Sequence, residues 1–136
     1  MTMLTANHTP TAPDTTATLA DPRPSWAARA TAAATRIAPD APAFDRAGTF
    51  VQPSFDLLRA EGFLAAPVPT ELGGGGATYP ETAAILTELA KGCPATAVTL
   101  SMHYHLVCTQ LWRHRRGLPG EALLRKVAAD NVLLVS

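Results

Sequence analysis

Charge of one sign, cysteine, aromatic rings and long apolar runs are all scarce in this chain of 136 residues. Eleven Lys and Arg side chains balance eleven Asp and Glu, so no cationic face is expected and nucleic acid and anionic lipid are poor candidates as partners. Two cysteines, Cys93 and Cys108, are too few for a disulfide framework and read as reduced thiols of a cytoplasmic protein. No stretch reaches the roughly 18 consecutive apolar residues of a membrane span. The longest candidate is interrupted by Ser101, His103, His105 and Gln110. Residues 1–24 are dominated by Thr, Ala, Pro and Asp and lack the hydrophobic stretch of a signal peptide. Asp14 and Asp21 against Arg23 also depart from the arginine-rich, acid-poor pattern of a transit peptide, so this stretch reads as a disordered leader.

What is present is alanine, arginine in preference to lysine, and 47% hydrophobic residues, which suits one globular domain. After Pro24, the residues Trp26, Ala30, Ala33 and Ile37 recur at helical spacing, with Ser25 placed to cap and Pro39 to stop the run. A connector rich in Pro, Asp and Gly leads to Phe50. A second helix starts near Pro53, turns Phe55, Leu57 and Leu58 inward and closes on Gly62 as a left-handed cap, with Phe63 and Leu64 folding back over its end. Pro67, Pro69 and the run Gly73 to Gly76 leave a loop from Ala66 to Ala77. Thr78 and Glu81 form a capping box for a third helix that reaches Lys91 and stops at Gly92.

Pro94 opens a fourth helix that extends to about Arg115, some 33 Å at about 1.5 Å per residue. Ala97, Val98, Leu100, Met102, Leu106, Val107, Leu111 and Trp112 cover nearly its whole circumference, which predicts burial on most sides. Arg113, Arg115 and Arg116 complement its negative pole. A fifth helix from Glu121 to about Ala129 buries Leu123, Leu124 and Val127. The apolar run Val132 to Val135 reads as a short strand with no partner upstream, or alternatively as extended chain packed on the bundle. The expected fold is therefore all-α: a five-helix bundle over residues 25–131, followed by an orphan strand at 132–136.

Few constellations carry chemistry. His103 and His105 stand about 200° apart on a helix and no H-E-x-x-H spacing occurs, so no metal site is expected and the pair reads as structurally satisfied or pocket-lining histidines. The glycine run has neither the following Lys-Ser or Lys-Thr nor the preceding strand of a phosphate loop, and reads as a plain flexible loop. Ser101 and His105 are four apart and within reach of each other, yet no nucleophile elbow is present. Cys108 lies on an apolar helix as an inert thiol. No catalytic residue is assigned.

The order and spacing of several short motifs resemble the N-terminal helical domain of the acyl-CoA dehydrogenase family. They are Phe44-Asp45, the helix Leu57-Leu58-Arg59-Ala60-Glu61-Gly62, a V-P-x-x-x-G-G signature from Val68 to Gly74, the helix Ile85 to Ala90, and Ser101-Met102-His103. The resemblance covers about residues 25–136 and implies an FAD-dependent oxidoreductase that desaturates acyl-CoA thioesters. It also implies that residues 132–136 begin a β middle domain, and that the flavin-contacting motif and the Glu base lie outside this chain, which alone would not retain FAD.

By position, Ser101, Met102 and His105 would border the substrate, or else simply pack on the first and third helices. A branch of the same fold, the flavin monooxygenases of the dibenzothiophene-monooxygenase type, carries a His near the reactive flavin where His105 stands. A non-catalytic helical interaction module is the further alternative. An apolar patch left by absent domains predicts self-association or partner subunits.

Overall fold

Ser25 starts the bundle: its hydroxyl accepts from the Ala28 amide at 3.2 Å and opens α1, Trp26–Ile37. The coordinates are a computed structural model that describes residues 23–135, so the expected leader lies almost wholly outside the described residues. The fold is all-α, as expected, with six helices among the described residues rather than five. The additional one, α2 (Ala41–Ala47), occupies the expected connector. Its Pro and Gly are helix punctuation: Pro42 stands in the first turn, where its missing N–H costs nothing, and Gly48 closes the helix at φ +61°.

Helix α3, Gln52–Ala60, ends as predicted. Gly62 adopts φ +75°, its amide donates to the Arg59 carbonyl at 3.0 Å, and the Phe63 amide donates to the Leu58 carbonyl at 2.9 Å. That closure sends Phe63 and Leu64 into the interior, where both are fully buried. The chain then runs through the core in irregular conformation to Val68 and makes a 3₁₀ turn at Thr70–Leu72. The glycine run is pinned rather than loose. Gly73, Gly74, Gly75 and Gly76 donate to the carbonyls of Thr70, Pro69, Ala65 and Val68 at 2.8–3.0 Å. A side chain at Gly75 would collide with the Trp26 ring.

The predicted capping box opens α4, Tyr79–Gly92, with the Thr78 amide donating to Glu81 at 2.8 Å. Helix α4 packs along α1, whose buried face is Ala30, Ala33, Ala34 and Ile37. These small side chains bring the two backbones close. A Cβ on Gly92 would collide with the Ala34 carbonyl oxygen and stand 3.0 Å from the Ala34 Cα. Gly92 is thus the last residue of α4, kept small by its neighbour, and Cys93 in extended conformation links directly to α5, Pro94–His114.

One side of α5 faces the core through Thr96, Ala97, Leu100, His103, Tyr104 and Val107. The expectation of burial around most of the helix is not met. Val98, Met102 and Trp112 are 63%, 46% and 52% exposed, because α4, α6 and the 63–66 segment cover only one side. No described helix is long and apolar enough to cross a membrane.

Helix α6, Glu121–Asp130, seats Leu124 and Val127 in a second apolar cluster with Ala65, Val68, Leu72 and Val107. Asn131 turns the chain at φ +51°. Residues 132–135 then run without regular secondary structure and do not form the expected strand; among the described residues there is no strand at all. With no sheet edge to pair with, the segment is held by side chains. Leu133 packs on the first cluster and Leu134 on the second, and the Leu134 amide donates to His103 Nδ1 at 3.0 Å.

The α1–α4 contact predicts the effect of one methyl group. Gly92→Ala gains about 1 kcal/mol of helix propensity but overpacks rigid backbone, a cost of typically 1–3 kcal/mol or more. The expected outcome is a lowered urea midpoint followed by circular dichroism, whereas an unchanged or raised midpoint would show that the helices separate freely.

Candidate functional site: the outward face of α5

Two faces of α5 carry two different kinds of polar residue. On the inner face, His103 Nε2 lies 2.8 Å from the Leu64 carbonyl, and the Tyr104 hydroxyl donates to the Phe63 carbonyl at 2.8 Å. The tautomer follows from the partners. The Leu134 amide can only donate, so Nδ1 accepts, and the proton resides on Nε2, which donates to Leu64. Burial holds the His103 pKa below the usual histidine value, partly countered by the bond to Leu64, and burial pushes the Tyr104 phenol far up. Both groups are neutral and satisfied, which makes them parts of the framework.

The outward face is built from Ala95, Val98, Met102, His105, Thr109 and Trp112, spaced alternately by three and four residues along one stripe. Met102 and His105 are exposed one turn apart on it, while Ser101 is half-buried at its edge. The Ser101 hydroxyl donates to the Val98 carbonyl at 2.7 Å, which commits its proton to the helix backbone and removes it from the attack geometry that a Ser101–His105 pair would need. The three residues singled out from the sequence therefore share one region of surface. It is an open face; none of the described cavities is lined by Ser101, Met102 or His105. A groove of about 520 Å³ lies at one end of the stripe, between α2 and the α4–α5 junction, with Phe44, Val51, Cys93 and Ala95 among its walls.

Other candidates carry less. The amides of the glycine run are all committed to carbonyls of the chain and leave no anion cradle. Burial raises the pKa of Cys108 and disfavours the thiolate a nucleophile requires. Among the described residues no three His, Cys, Asp or Glu side chains gather as a metal-binding set. At the far end of α5, Arg116 lies over the Trp112 ring at 4.1 Å and Arg113 donates to the Pro119 carbonyl at 2.8 Å, so both support the turn into α6. Sequence reasoning missed the bracing role of Tyr104 and the particular partners of His103, Leu64 and Leu134. The signal that these side chains face inward lay in the spacing, since His103 falls in line with Thr96, Leu100 and Val107, the buried side of the helix.

Sequence comparison assigns this helical chain to a family. The profile of the acyl-CoA dehydrogenase N-terminal domain matches residues 27–129, and the chain belongs to this family. It is also similar to L-evernosamine nitrososynthase of Micromonospora sp., at 36% identity over 101 residues, covering 68% of this chain and 24% of that protein. The chain thus spans about a quarter of the length of the curated relative it matches.

The neutral, buried His103 predicts a pH dependence with a definite sign. Its folded pKa is lower than the unfolded value near 6.5, so the unfolded chain binds the extra proton first. Its contribution to stability is fully present above about pH 6.5 and is lost as pH falls toward the folded pKa. Urea unfolding across this range should give a declining midpoint on the acid side, and a midpoint that rises as His103 charges would contradict the burial described.

Proposed function

We propose that the chain supplies the helical wall of the substrate and flavin pocket in an FAD-dependent oxidoreductase of the acyl-CoA dehydrogenase type, acting on an acyl-CoA-like thioester in the cytoplasm. The observation that carries this reading is the outward α5 face, where one imidazole stands among exposed apolar side chains while the opposite face is buried against the core. That face suits one side of a flat, largely apolar ligand. It does not amount to a flavin cradle, because the loop amides are committed to the chain and no described cavity contains these residues.

When bound, FAD supplies the hydride-accepting chemistry. The residues of this chain would do the rest of the wall's work. Val98, Met102 and Trp112 would exclude water and shape the pocket, Ser101 would offer its hydroxyl oxygen as an acceptor, and His105 would present the one ionisable side chain of the stripe. The exposed apolar residues on that face also motivate association with a second protein surface, another copy or a partner subunit.

A second reading is favoured by His105 itself and by the similarity to a nitrososynthase: oxygenation by reduced flavin, with His105 holding or donating a proton next to the reacting group. One experiment separates the two in the purified flavoprotein that contains this chain. In a desaturase, anaerobic acyl-CoA bleaches the flavin. His105→Leu then keeps the bleaching and alters chain-length preference by roughly 1–3 kcal/mol of discrimination. In an oxygenase, His105→Leu keeps flavin reduction but loses oxygenated product, and oxygen returns as hydrogen peroxide. Retention of both product and substrate preference would place His105 outside the pocket.

A further inference from the structure

We propose that His103 is a proton-operated latch: neutral, it clamps residues 132–135 over the seam between the two apolar clusters, and once protonated it releases them. The geometry that carries this is the bridge made by its ring. Nε2 donates to the Leu64 carbonyl at 2.8 Å, and Leu64 belongs to the first cluster. Nδ1 accepts from the Leu134 amide at 3.0 Å, and Leu134 packs on the second cluster while Leu133 packs on the first. The segment forms no strand, so this bond to an imidazole takes the place of a sheet ladder for the Leu134 amide.

Protonation puts a hydrogen on Nδ1 and turns the acceptor into a second donor aimed at an N–H. The attraction becomes a repulsion at a fully buried site. The bond to Leu64 survives, since Nε2 donates in both states. The response is therefore one-sided: the 132–135 segment is expelled while the helices stay braced.

Among the described residues no carboxylate bonds to the His103 ring. Neither the Phe63–Ala66 stretch nor the Val132–Val135 stretch contains an ionisable side chain. On α5 itself the nearest titratable ring is Tyr104, at 5.9 Å between centroids, kept neutral by burial. Arg29 of α1, next to Tyr104, adds positive charge. The charged residues of α6, namely Glu121, Arg125, Lys126 and Asp130, are exposed and paired among themselves. With no described carboxylate bonded to it, the charged imidazole gains solvation most directly by letting water in where Leu134 had been.

Amide hydrogen exchange by NMR on the full chain tests the latch, with rates taken relative to the intrinsic rate at each pH. As pH falls from about 7.5 through the folded His103 pKa, the Leu134 amide should lose protection by at least roughly tenfold more than core amides such as Ala33 and Leu89, whose smaller loss follows the falling global stability. The Leu134 midpoint should coincide with that of the His103 ring nitrogens, followed by their own ¹⁵N shifts in the unaltered chain. His103→Asn keeps an acceptor near the Nδ1 position but cannot titrate, so Leu134 should stay protected at both ends of this pH range. His103→Gln keeps a donor toward Leu64 but places no acceptor near the Nδ1 position, so Leu134 should be unprotected at both. If either variant fails to fold, the coincidence of the two midpoints in the unaltered chain decides alone. Loss of Leu134 protection no greater than that of the core amides, retention of protection on the charged ring, or persistent pH sensitivity in His103→Asn would each overturn the proposal.

Discussion

A stretch of irregular backbone buried in the middle of a helical bundle must find a partner for each of its polar groups, and the stretch from Phe63 to Val68 sets that condition here. Phe63, Leu64, Ala65, Ala66 and Val68 are all buried, and none of them lies in a helix whose own ladder would satisfy it. The solution draws on both sides of the molecule. The Tyr104 hydroxyl and the His103 imidazole serve the carbonyls of Phe63 and Leu64, while the amides of Gly75, Gly76 and Ala77 serve those of Ala65, Val68 and Ala66 at 2.7–2.9 Å. The glycine run is thereby explained. Its backbone must approach the buried stretch and pass beneath Trp26, where side chains at Gly74 and Gly75 would collide with Val68 and the indole.

This condition also divides the labour of α5. Two polar side chains, His103 and Tyr104, are drawn inward and neutralised, and what remains outward is a stripe on which Met102 and His105 stand exposed. A helix braced this firmly on one side can present a rigid surface on the other, which is what a pocket wall requires. The neighbouring histidines of the sequence consequently have opposite characters: His103 holds backbone in place, and His105 is exposed.

Much of the helical framework was legible because its signals are local. Ser25, the Thr78–Glu81 box, Pro94 and Gly62 each act within a turn or two, and each lies where the sequence pattern puts it. Helix α2 was missed because Pro42 and Gly48 were weighed as breakers, although they stand at the helix ends where both residues are favoured. The wider burial expected for α5 failed for a different reason. Apolar content around a helix does not tell which side will find neighbours, and Val98, Met102 and Trp112 remain exposed here. Residues 132–135 have the composition of a strand, yet the Leu134 amide bonds to His103, a partner 31 positions away that no local pattern announces. For the candidate site, shared location was legible at helical spacing, whereas the commitment of the Ser101 hydroxyl to Val98 became visible only with the backbone in hand.

Everything else rests on the bracing of the buried stretch by α5, and its most direct test is the unfolding free energy of Tyr104→Phe. The substitution keeps the ring and its burial and removes only the hydroxyl that donates to Phe63, leaving that carbonyl with the Ala66 amide at 3.1 Å. Urea denaturation should show a loss of about 1 kcal/mol with an unchanged slope. A change within about 0.5 kcal/mol, the range of an ordinary surface substitution, would contradict the claim that these side chains hold the buried backbone in place.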